Sequence, residues 1–348
     1  MRRSSANNSP RPAPSPAPTR GSRFGLRQLF LLGLAIVGVV GIYWRLSSPD
    51  AERQQALKAA ASGDFATAEP LLRRARDARP DDLELIKALA IGYAQADRVD
   101  EAEAEFTRWS ELRPEDVTPV AAHFHMCVRV RQNDRAVPVA EHLLRFQTID
   151  PELYPPIVAV YMIAGRVRDA MEAVRAGLAV KPGDVRLRLQ LAEVLHVQGQ
   201  SKDALDVLQL LTRDAPDLPD GWRLRGLVTA ELDDPAAAIA FLERALTLKP
   251  ADLAARYGLG LALRRCGRES DARRELDRFE KARVALDLAN SSWNDPERLD
   301  LGIRAAAAMF EAGLDLDGHK FVRQVLVRDP NNAEALRLRE AHRATLPR

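Results

Sequence analysis

Residues 219–252 read PDGWRLRGLVTAELDDPAAAIAFLERALTLKPAD. Gly226, Ala238 and Pro250 follow one another at intervals of twelve in this stretch. Two small residues let helices touch, and a proline closes the second helix because it lacks the backbone donor that the next turn needs. Outward from here, prolines recur at Pro80, Pro114, Pro151, Pro182, Pro216, Pro250 and Pro330, at spacings of 34, 37, 31, 34, 34 and 80. Twelve residues before each stands Ala68, Ala102, Val139, Ala170, Ala204, Ala238 or Gly318, and twelve before those Ala56, Ala90, Cys127, Val158, Ala192, Gly226 or Ala306. Turn residues such as Gly63-Asp64, Gly165-Arg166 and Gly199-Gln200 lie between the two sets. The pattern predicts pairs of antiparallel helices, A and B, repeating about every 34 residues.

Composition agrees. Of 348 residues, 46% are hydrophobic but only 5% aromatic, which suits Ala- and Leu-rich helices and disfavours an all-β fold. Two cysteines exclude a disulfide framework or a four-cysteine zinc site. Formal charge is +2, yet residues 1–45 hold seven arginines and no acid, so the remainder is mildly acidic and nucleic acid is not expected as a partner.

The repeat resembles the tetratricopeptide repeat, a helix–turn–helix unit with small residues at positions 8 and 20, a large apolar residue at 24 and proline at 32. Trp222, Gly226, Ala238, Leu242, Ala245 and Pro250 carry the best match; Tyr93, Ala102, Phe106 and Pro114, and Leu191, Ala192, Ala204, Leu208 and Pro216, carry others. The resemblance implies an all-α, right-handed α-solenoid of about eight units. Units 1–7 are expected over 51–286, an insertion containing Trp293 over 287–298, and unit 8 with a polar capping helix over 299–348.

It also implies that helix A lines a concave groove through positions 2, 5, 9 and 12. On the spacing above, the third unit contributes Phe124, Val128 and Arg131, and the fourth Met162. The fifth contributes Arg186, Leu189, Glu193 and His196, the sixth Arg223 and Leu227, and the seventh Tyr257, Leu261 and Arg264. Aliphatic and aromatic anchors alternating with arginines suit a peptide partner bearing carboxylates.

Residues 1–25 are Arg- and Pro-rich and are expected to be disordered. Leu29 to Trp44 carries no charge, and residues 26–46 are long enough to span a bilayer if Arg27 and Arg45 reach the headgroups. The arginine excess before this helix places the N-terminus in the cytoplasm and the repeats outside, as in a single-pass inner-membrane protein with an uncleaved signal anchor.

Nucleotide-binding, hydrolase and zinc-protease motifs are absent from the sequence, and neither catalysis nor a cofactor is expected. His123 and Cys127 lie one helical turn apart and could face a soft metal, but Cys127 also fits as a small apolar filler. The leading expectation is a membrane-anchored scaffold. The alternatives are an assembly chaperone, resembling the repeat proteins of cytochrome c maturation, that presents unfolded clients, and a metal or redox site at His123 and Cys127.

Overall fold

A computed structural model describes residues 49–295 and 297–345. The expected tail, 1–25, and membrane helix, 26–46, lie outside the described residues, and no helix among those described is long and apolar enough to cross a membrane. Seventeen α-helices and no strand are present among them, in two compact bodies divided between Leu112 and Arg113.

The first body contains α1 (Pro49–Ala61), α2 (Phe65–Ala78), α3 (Leu83–Gln95) and α4 (Val99–Leu112). Its core is Ala56, Ala68, Leu72, Leu85, Leu89, Ala90 and Phe106, all at most 2% exposed. The Phe65 ring meets Tyr93 edge-on at 5.2 Å and fills the space where Gly92 has no side chain.

The second body begins with α5 (Thr118–Arg129), α6 (Asn133–Leu143), α7 (Tyr154–Ile163), α8 (Val167–Val180), α9 (Val185–Val197) and α10 (Ser201–Asp214). It continues with α11 (Pro219–Glu231), α12 (Pro235–Leu248), α13 (Leu253–Arg265), α14 (Glu269–Asn294), α15 (Leu299–Glu311), α16 (Asp315–Arg328) and α17 (Ala333–Ala341). The sixteen helices up to α16 form eight successive hairpins, and α17 follows the last. Ala238, Leu242, Ala255, Leu259 and Ala272 form one buried cluster; Ala285, Ile303, Met309, Phe321, Val325 and Ala335 belong to another.

Helix termini explain the period. Asp82, Asp184, Asp252 and Asn332, each two residues after a repeat proline, cap the next helix A by accepting hydrogen bonds from its first free N–H groups. Every helix A ends on a residue in the left-handed region: Gly63, Asp97, Arg131, Gly165, Gly199, Asp233, Gly267 and Gly313, with φ between 57° and 82°. From the second hairpin on, the next N–H reaches back five residues, as from Arg166 to the Tyr161 carbonyl at 2.8 Å, which makes a Schellman cap.

These eight residues correct the expected register. They are 34 residues apart without slippage from Gly63 to Gly267, so the third hairpin keeps the period that the prolines appear to break. Pro151 opens the fourth hairpin, as Pro219 opens the sixth, and does not close the third. Positions 5, 9 and 12 of the third helix A are therefore Ala121, His125 and Val128. Phe124 falls on position 8 and is fully buried, while Arg131 is the turn residue at φ 58°. In this register neither falls on position 2, 5, 9 or 12. Residues 287–294, read above as part of an insertion, extend α14 to 26 residues; Ala282, Ala285, Ala289 and Ser292 bury one side of it.

Candidate protein-binding face

In the second body, α7, α9, α11 and α13 are the A helices of hairpins four to seven, and each packs on the next. The contacts between them are specific. Gln190 Nε2 on α9 donates to the Pro155 carbonyl on α7 at 2.8 Å. His196 Nδ1 lies 3.4 Å from Glu231 Oε2 on α11. Leu227 rests where Gly258 of α13 leaves room, since a Cβ there would come within 2.6 Å of Leu227 Cδ2. Arg265 Nη1 donates to the Ala230 carbonyl at 2.5 Å, and Asp233 binds the same guanidinium.

The anticipated residues of these helices fall into three groups. Met162, Leu189, Leu227 and Leu261 are half-buried, with Leu227 packed partly on the core. Tyr257 is 46% exposed, its ring 5.2 Å from that of Phe279, and Arg264 is exposed. Of the remaining charged residues, Arg186, Arg223 and His196 are engaged by neighbours, and Glu193 is half-buried. Arg186 binds Glu152, which also accepts from Lys181 at 2.9 Å, while Arg223 meets Asp220 at 3.1 Å and Asp252 at 3.3 Å. Val128 is half-buried on α5, helix A of the preceding hairpin. His125, which the proline spacing conceals, is exposed at position 9 there; counting from the left-handed turns would have found it.

Electrostatics follow burial. Desolvation holds the Glu193 carboxyl above the usual glutamate range; the charge of Arg223 opposes this and that of Asp220 adds to it. Burial likewise pushes Asp184 up, but hydrogen bonds from Leu187, Lys181 and Arg186 outweigh it and leave the carboxyl below its ordinary value. Arg225 is lowered by burial, with its guanidinium 4.0 Å from the Phe241 ring centre and donating to Thr212 Oγ1 at 2.8 Å.

His123 and Cys127 are both buried in α5, and Cys266 is exposed at the end of α13. Among the described residues no group of three or more His, Cys, Asp or Glu side chains is placed to hold a metal ion.

Comparison with known proteins bears on the repeat itself. A stretch of 101 residues, 29% of this chain, is 30% identical to human protein O-mannosyl-transferase TMTC1 and covers 12% of it. Over 304 residues, 83% of this chain, identity is 25% to cellulose synthase operon protein C of Pseudomonas fluorescens (strain SBW25), of which 23% is covered. The chain thus spans less than a quarter of either relative. Among solved structures, YrrB, a TPR protein with an unusual peptide-binding site, aligns at 18% identity and a TM-score of 0.46 over 53% of this chain and 95% of its own. MamA from Desulfovibrio magneticus RS-1 aligns at 19% and 0.45 over 49% and 97%. The tetratricopeptide repeat profile matches residues 59–122, 161–228 and 230–285, more than half the chain. With seven left-handed turns spaced 34 residues apart and an eighth at Gly313 ending the last helix A, the chain belongs to the tetratricopeptide repeat family.

Proposed function

We propose that this protein is a scaffold without catalytic chemistry of its own, and that the helix-A face of its second body holds a protein or peptide partner. Residues 26–46 anchor it in the inner membrane, with the N-terminus cytoplasmic and the repeats outside. The observation that carries the binding reading is the row of half-buried Leu189, Leu227 and Leu261 beside exposed Tyr257 on three successive A helices. Such a row offers apolar area to a ligand without loosening the stack beneath it. Aromatic and aliphatic anchors of this kind supply most of the affinity in protein interfaces.

The test is site-specific photo-crosslinking in intact cells, with the crosslinking side chain at Tyr257 or, as a control, at exposed Glu243 on α12. A protein should be captured from the first position and not from the second. Tyr257→Ala combined with Arg264→Ala should abolish a capture made from Leu261, with stability changed by no more than about 0.5 kcal/mol, as for surface sites. Equal capture from both positions would remove the face from consideration.

A further inference from the structure

The sequence suggests arginines waiting for a partner's carboxylates; Arg264 is exposed, but around Glu193 the structure reverses the sign. Arg223 is held by Asp220 and Asp252, Arg186 by Glu152, and Arg265 by Asp233 and the Ala230 carbonyl. Glu193, one turn beyond Leu189 on α9, has no hydrogen bond or ion pair to any described residue, although Arg223 and Asp220 are near enough to act on it. Its residue is half-buried, but its carboxylate oxygens are not enclosed. Around it, Asp220 and Asp252 hold Arg223, whose charge also acts on Glu193, and at the rim Lys249 Nζ is 4.0 Å from Asp220; three carboxylates stand against two bases. One negative charge remains over.

We propose that Glu193 selects a partner segment carrying a lysine or arginine side chain, whose charged end it binds while Leu189 and Leu227 receive apolar residues on either side. This rests on the reading of the helix-A face given above and adds the chemistry of its ligand. A carboxylate on a half-buried residue, with no hydrogen-bond partner and no counter-charge of its own, gains most from a ligand that brings both a positive charge and hydrogen-bond donors. An acidic segment would instead meet, around Glu193, a net negative site in which Arg186 and Arg223 are already engaged, and like charges brought together oppose association. The raised proton affinity of Glu193 is the same effect seen with a proton as the ligand.

An array of immobilised random nonapeptides, probed with the full-length protein, separates the two claims. Wild type should enrich peptides with Lys or Arg flanked by apolar residues by about tenfold over acidic ones, equivalent to ~1.4 kcal/mol. Glu193→Gln should erase the preference and Glu193→Arg should invert it. Circular dichroism melting should leave both variants folded, since no protein contact of the carboxylate is lost. Tyr257→Ala should lower the signal for all peptides. If charge preference is absent, or persists in Glu193→Gln, while Tyr257→Ala still weakens binding, the inference fails and the face stands. If no peptide binds, or Tyr257→Ala changes nothing, both fail.

Discussion

Arg131 has the only arginine side chain among the described residues in the left-handed region; five of its seven counterparts are glycine and two aspartate. A side chain with a Cβ is strained there by roughly 1–2 kcal/mol, and Asp tolerates the region better than Arg. Glycine loses more conformational entropy on folding, which offsets part of the gain. Arg131→Gly should therefore raise stability in chemical denaturation by about 0.5–1 kcal/mol, and Asp233→Gly by less. A destabilised Arg131→Gly would mean that the turn does not set the register of the third hairpin. This position also shows why part of the site was hidden in the sequence. Prolines occupy two different places in the repeat, closing one hairpin at Pro114 or Pro182 and opening another at Pro151 or Pro219, so proline spacing alone misplaces Phe124 and Arg131. In hairpins four to six the two signals agree, because Ala170, Ala204 and Ala238 stand twelve residues before Pro182, Pro216 and Pro250, so proline spacing and turn spacing give the same register.

At the scale of elements, three hairpins are closed by charges whose spacing repeats. Asp50 pairs with Arg79, Glu152 with Lys181 and Asp220 with Lys249, in every case an acid near the start of helix A and a base just before the proline. A second pair joins the fifth residue of helix A to the aspartate that caps the next one, Arg53 to Asp82 and Arg223 to Asp252. Asp252 thus has two tasks, accepting from the Ala255 N–H at 3.0 Å and holding Arg223. Asp252→Asn keeps an acceptor for the cap and should cost about 0.2–1 kcal/mol for the weakened ion pair, while Asp252→Ala also loses the cap and should cost about 0.5–2 kcal/mol more. Equal costs in urea unfolding would show that the ion pair, not the cap, holds α13 in place. The long α14 was less legible. Asp287 to Arg298 lacks the repeat's marker residues, yet Ala282, Ala285, Ala289 and Ser292, spaced three, four and three, already trace one helical face. Reading periodicity ahead of repeat markers would have joined those residues to the preceding helix.

At the scale of the whole molecule, the charge is divided along the chain in a way that the repeats do not need. Residues 46–348 are mildly acidic, and the described hairpins among them carry internal ion pairs, whereas of the seven arginines of residues 1–45 five precede the stretch proposed to meet the membrane and two, Arg27 and Arg45, lie near its ends. Arginines flanking an apolar segment on one side hold that side in the cytoplasm, because translocating them against the membrane potential costs about 2.3 kcal/mol per charge at 100 mV. The arrangement makes a definite prediction for spheroplasts carrying the full-length protein with an epitope at its N-terminus. Added protease should degrade the repeats and leave the N-terminal epitope on a small, membrane-retained fragment, and alkaline carbonate should fail to release the intact protein. Replacing Arg2, Arg3, Arg11 and Arg20 with glutamine should weaken the bias and expose the epitope in a fraction of molecules. Protection of the repeats instead of the epitope would invert the proposed topology, and release by carbonate would remove the anchor altogether. Neither result would touch the family assignment, which rests on hairpins that begin after the proposed anchor, but either would change which compartment supplies the proposed partner of the helix-A face.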